Sequence, residues 1–131
     1  MSSEQAERPA FIDHLTLTVH DAEACKRFYR ACLAPWHSHE IEYEDGSVFG
    51  PEGSEDIAIR AGEPTSGPIH LAFAAPDRAT VDAFYEAGLQ AGGRDNGSPG
   101  LRPHYHAGYY AAFLIDPAGN NVEAVYHGRP V

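Results

Sequence analysis

His14 and His70 each open a short run in which apolar residues alternate with polar or small ones, and Glu123 interrupts a late segment that is otherwise apolar. In extended chain, alternate side chains share a face. Leu15, Leu17 and Val19 therefore oppose His14, Thr16 and Thr18, and Leu71, Phe73 and Ala75 oppose His70, Ala72 and Ala74. In the late segment Val122, Ala124 and Tyr126 take the core side, while Glu123 shares the other face with Val125. A carboxylate in so apolar a strand costs free energy unless something pairs with it. Two imidazoles and one carboxylate that leave coordination positions open form a donor set used by Fe(II) and accepted by Zn, Mn, Ni or Co. The expectation is one divalent metal ion held by His14, His70 and Glu123, with open positions for water or the oxygens of a small substrate.

The elements that must carry these residues emerge when the chain is compared with itself. Asp13 to Leu33 (DHLTLTVHDAEACKRFYRACL) aligns without a gap on Ile69 to Leu89 (IHLAFAAPDRATVDAFYEAGL), at the offset of 56 positions that separates His14 from His70. Asp21 matches Asp77, Phe28 matches Phe84, Tyr29 matches Tyr85 and Leu33 matches Leu89. Each copy reads as a strand, an Asp placed to cap a helix, and a helix with a buried stripe of Phe28, Ala31 and Cys32 or Phe84, Ala87 and Gly88. Further strands are expected near 38–42, 47–50 and 56–61 in the first copy, and at 109–115 and 121–127 in the second. Gly92 to Gly100 reads as a glycine-rich loop, Asp116-Pro117-Ala118-Gly119-Asn120 as a hairpin turn and 62–67 as a linker. The fold class is α+β: two tandem βαβββ repeats, 11–62 and 68–127, forming curved mixed sheets around a metal cleft. If the sheets adjoin, the three ligands converge on it. One domain over 11–128 follows from the length, with 1–10 as a flexible leader.

Composition narrows the partners. Nine basic against nineteen acidic residues give a net charge of -10, which repels nucleic-acid phosphates and anionic lipid. No segment approaches the roughly 20 apolar residues of a membrane helix, and no signal peptide is evident. Cys25 and Cys32 lie seven apart on one helix, about 10 Å along its axis and beyond disulfide reach. Two free thiols fit a reducing, cytoplasmic setting. His20, His37, His39 and His127 read as surface residues, and Trp36 either as a cleft-lining residue or as a loop or interface anchor.

Leu101 to Tyr110 (LRPHYHAGYY) packs two His and three Tyr just before the metal-facing hairpin. Tyr105, Tyr109 and Tyr110 are expected to bind substrate by stacking and hydrogen bonds, and His104 or His106 to move a proton, since imidazole titrates near neutrality. Glu123 is the other candidate base, although a metal-bound carboxylate is a weaker base than a free one.

FIDHLTLTV followed by FYRACL, then GPIHLAFAA, then DPAGNNVEAVYH, together resemble the glyoxalase, bleomycin resistance and extradiol dioxygenase (vicinal oxygen chelate) superfamily over nearly the whole chain. The resemblance implies the same ligands, His14, His70 and Glu123, and a homodimer, which in some members completes the cleft across chains. The glyoxalase I branch carries a fourth ligand, a Glu, in the last strand of the first repeat. Here that segment reads Ile57-Ala58-Ile59, so the implied set has three protein ligands. An extradiol signature carries a Tyr where this chain has Phe113. Three functions follow: a metal-dependent lyase, isomerase or dioxygenase-type enzyme acting on vicinal oxygens of a small molecule; a protein that sequesters an antibiotic or aromatic compound; and an Fe(II) ring-cleaving dioxygenase.

Overall fold

Alternating strands with one apolar face can bury that face only against another layer, and each repeat supplies a single helix for the purpose. The computed structural model describes residues 12–128. The first repeat runs β1 (Leu15–Val19), α1 (Ala22–Cys32), a 3-10 turn (Ala34–Trp36), β2 (His39–Tyr43), β3 (Gly46–Gly50) and β4 (Ile57–Ala61). The second runs β5 (His70–Ala74), α2 (Arg78–Gln90), β6 (Arg94–Leu101), β7 (Tyr110–Ile115) and β8 (Asn121–Tyr126). The strands form two four-stranded mixed sheets of identical order, β1-β4-β3-β2 and β5-β8-β7-β6, each with one parallel pair between its first and last strand. The tandem βαβββ architecture is therefore present.

Both helices start where an Asp can satisfy open backbone donors: Ala24 N donates to Asp21 Oδ1 at 3.0 Å and Thr80 N to Asp77 Oδ1 at 2.8 Å. The helices pack against each other, so the buried faces of the two repeats share one core that includes Leu17, Val19, Phe28, Ile57, Ile59, Phe84, Leu114, Val122 and Ala124. Gly88 makes this closeness possible. A Cβ there would lie 2.3 Å from Leu114 Cδ1 and 3.4 Å from Cys32 Cβ. Trp36 ties the repeats at one end, its Nε1 donating to the Ala74 carbonyl at 2.8 Å while its ring packs on Phe73 and Phe84. Cys25 and Cys32 are both free and buried. Burial, with the Asp116 charge second, pushes the Cys25 thiol up to about 12.

The glycine-rich stretch differs from expectation. Arg94 to Leu101 is strand β6, paired with β7 through register shifts on both sides of Gly97. Glycine and proline depress strand propensity, but bulged pairing with a well-formed neighbour overrides it. The expected leader lies outside the described residues, and no described helix is long and apolar enough to cross a membrane.

Candidate metal centre

Parallel pairing of β5 with β8 sets Ala72 opposite Glu123, so His70, two residues earlier on the same face, leans toward the carboxylate. Glu123 is only 2% exposed, yet neither oxygen is wasted. Its Oε1 lies 2.7 Å from His70 Nε2, and its Oε2 accepts a hydrogen bond from the Tyr109 hydroxyl. The carboxylate can only accept, so Nε2 carries the proton in this arrangement. Burial, then the hydrogen bond and charge of Glu123, raise the Tyr109 phenol well above its ordinary range, which keeps it a donor. Phe113 stands opposite Glu123 on β7, on the same face, with its ring centroid 6.2 Å from that of His70.

His14 occupies the equivalent place in the other repeat but stands apart from this pair. It is exposed and its Nδ1 lies 2.8 Å from Asp13 Oδ2. Among the described residues no three or more His, Cys, Asp or Glu side chains are grouped to hold a metal ion. One chain thus brings together His70 and Glu123 of the expected three. The register also identifies the missing carboxylate. Thr16 pairs with Ala58 as Ala72 pairs with Glu123, so Ala58 is the positional counterpart of Glu123.

The loop expected to wall the site divides in two. His104, Tyr105 and Tyr109 form a ladder of tilted rings, with centroids 4.3 and 4.8 Å apart, that leads outward from Glu123. His106 is half-buried and its Nδ1 donates to the Ala107 carbonyl at 2.8 Å, leaving Nε2 as the basic atom, 2.9 Å from His127 Nδ1. His127 is therefore a partner within the loop cluster and not a bare surface residue. Tyr110 departs from its expected role in substrate binding. Strand alternation sends it to the helix side, where its hydroxyl donates to Asp82 at 2.6 Å and Arg78 covers its ring. Sequence reasoning also passed over Tyr109 as a partner of Glu123 and His127 as a partner of His106. The odd-even parity of β7 could have separated Tyr109 from Tyr110, whereas the imidazole pair joins positions 21 apart with no local signal.

The family described as Glyoxalase/Bleomycin resistance protein/Dioxygenase superfamily matches residues 11–124. No curated protein matches the chain. Among solved structures, a glyoxalase/bleomycin resistance protein from Albidiferax ferrireducens is 27% identical, covers 92% of this chain and 100% of its own, and superposes with a TM-score of 0.77. A lactoylglutathione lyase from Agrobacterium tumefaciens is 21% identical, with 93% and 97% covered and a TM-score of 0.66. The fosfomycin resistance protein FosX from Mesorhizobium loti is also 21% identical, with 91% and 93% covered and a TM-score of 0.66.

Proposed function

The chain belongs to the Glyoxalase/Bleomycin resistance protein/Dioxygenase superfamily, and on that premise we propose a divalent-metal-dependent enzyme that binds neighbouring oxygens of a small substrate. The observation that carries this reading is the buried Glu123 carboxylate set against an imidazole nitrogen at 2.7 Å. Relieved of its shared proton, the pair offers one nitrogen and one oxygen donor, a set that suits Fe, Zn, Ni, Mn or Co. Tyr109 holds the second carboxylate oxygen, so Glu123 offers Oε1 alone.

The third donor in this reading is His14 of a second copy of the chain. His14 precedes β1 and His70 opens β5, and these are the outer strands of their sheets. Setting the β1 edge of one copy beside the β5 edge of another brings the two histidines together and covers two open edges at once. When bound, the metal supplies Lewis acidity toward the substrate oxygens. The chain's own groups do the rest. His106 or the exposed His104 takes or returns a proton at a ring nitrogen, and the Tyr105 and Tyr109 rings orient the substrate. Buried free thiols fit a cytoplasmic setting. The ring ladder of His104, Tyr105 and Tyr109 favours, as a second reading, stacking and sequestration of a planar antibiotic or aromatic compound. Ring cleavage with Fe(II) draws support from a phenol at Glu123, supplied by Tyr109 where Phe113 has none.

Metal titration of the purified protein, followed by elemental analysis, tests the reading. His14→Ala and His70→Ala should each lose bound metal while remaining folded. Mixed in equal amounts with exchange of subunits, they should recover roughly one quarter of wild-type occupancy, because a random mixture leaves one intact shared site in each heterodimer. No recovery on mixing, or no metal in the wild type under any loading, defeats the shared centre. Tight binding of an aromatic drug by a protein that takes no metal favours sequestration.

A further inference from the structure

Arg102 directly follows strand β6 and is half-buried, and among the described residues no carboxylate lies within salt-bridge distance of it, in a chain with nineteen acidic residues. Its Nη1 donates to the Gly100 carbonyl at 2.8 Å and its Nη2 to the Ser98 carbonyl at 2.9 Å. Both acceptors are neutral, and a guanidinium has five N–H donors. The charge is therefore held in place by neutral carbonyls, with no carboxylate partner among the described residues. Its carbon lies 5.3 Å from the centroid of the Phe113 ring, which places it on the face of the second sheet that carries Glu123.

The strand is built around this side chain. A Cβ at Gly97 would lie 3.1 Å from Arg102 Nη2 and 3.0 Å from Phe113 Cδ1, and one at Gly100 would lie 3.2 Å from Nη1. Gly97 has φ of +147, and register shifts flank it on both sides. Bulges of this kind turn a strand locally and aim its neighbours. The backbone N–H of Arg102 also donates to the Tyr109 carbonyl at 2.8 Å, closing the aromatic loop onto the residue that holds Glu123.

Across the sheet face the order is His70 on β5, Glu123 on β8, Phe113 on β7 and then the Arg102 guanidinium. Two strand spacings, about 10 Å, separate the carboxylate strand from β6. We propose that Arg102 anchors an anionic group of the substrate, a carboxylate or similar oxyanion, about two strand widths from Glu123. The substrate then carries oxygens at one end, an oxyanion at the other, and an apolar middle beside Phe113. A guanidinium fork matches an oxyanion in two parallel hydrogen bonds. This rests on the proposed function for the placement of the reacting oxygens, but the anion anchor is separable from the metal.

The test compares 3-phenylpropanoate with neutral 3-phenylpropanamide, titrated into metal-free full-length protein by NMR, alongside a separate metal titration. The carboxylate should bind at least about tenfold more tightly, against the general repulsion of anions by a chain of net charge -10. Arg102→Met should bring the ratio to about one with amide binding and metal affinity unchanged, and Arg102→Lys should restore part of it. A wild-type ratio near one, no carboxylate binding at millimolar concentration, or a ratio that survives in Arg102→Met overturns the anchor. Loss of metal binding with the ratio intact overturns the metal reading alone.

Discussion

The two repeats share a topology and a helix cap, and they have divided their work. In the second, His70, Glu123 and Tyr109 join in one hydrogen-bonded group, while in the first the corresponding positions hold His14, just before β1, and Ala58 on β4. The first repeat is instead the source of a buried clamp. Tyr29 of α1 donates to Asp116 Oδ2 at 2.6 Å, in the hairpin turn that leads into the strand of Glu123. Its counterpart Tyr85 reaches only the exposed Asp95, at 2.8 Å. A duplicated fold thus lets one copy hold the buried carboxylate with its imidazole and phenol partners while the other fixes the turn behind them.

The sharpest way to break this comparison is at Asp116. Besides the Tyr29 hydroxyl it accepts from Ala118 N at 2.9 Å, from Asn120 N at 2.8 Å and from Asn120 Nδ2 at 2.9 Å. Asp116→Ala leaves these donors unsatisfied in the core and should cost about 3–5 kcal/mol, lowering Tm by about 10–20 °C. Tyr85→Phe, which removes the corresponding tyrosine hydroxyl in the second repeat, should leave stability nearly unchanged, because its hydrogen bond is exposed. Thermal unfolding of both variants measures the asymmetry, and equal losses would remove it.

Ala58→Glu sharpens the comparison by giving the first repeat the carboxylate of the second. Thr16 and Ala58 are paired as Ala72 and Glu123 are, so the new side chain shares the face of His14's strand partners. In a shared site with three protein donors it adds a fourth. Zn or Ni affinity, measured by competition with a chelator, should rise about tenfold. An unchanged affinity would mean that the first repeat does not face the metal.

Strand periodicity, the Asp caps, the turn at Asp116 to Asn120 and the repeat itself were legible because each is a local pattern with a local physical cause. Residues 94–101 were not, since glycine and proline suppress the strand signal that pairing with β7 restores. The approach of His70 to Glu123 accords with the convergence expected from strand faces, but the separation of His14 was not foreseen. Alternation fixes which way a side chain points within a sheet and says nothing of how two sheets of one chain are set relative to each other. The same limit hid the guanidinium of Arg102, whose place depends on two bulges.

The smallest expected difference concerns how each helix is tied to the strand that follows it. In the first repeat Arg30 Nε and Nη2 donate to Glu40 at 2.7 and 2.9 Å, with Ser47 Oγ adding a bond at 2.8 Å. In the second the tie is the bond from Tyr85 to Asp95. The Arg30 hydrogen bond, above all, lowers the Glu40 carboxyl from its ordinary 4.5. The folded protein therefore binds that proton more weakly than the unfolded chain. The stabilisation is complete above 4.5 and is lost as the pH falls through the depressed folded value. Glu40→Gln should cost about 1 kcal/mol at neutral pH, a figure reduced for the half-exposed arginine, and should cost progressively less in acid. Urea unfolding at a series of pH values reads the slope directly. A penalty that stays constant from neutral pH into the acid range would show that the tie acts through packing and not through charge.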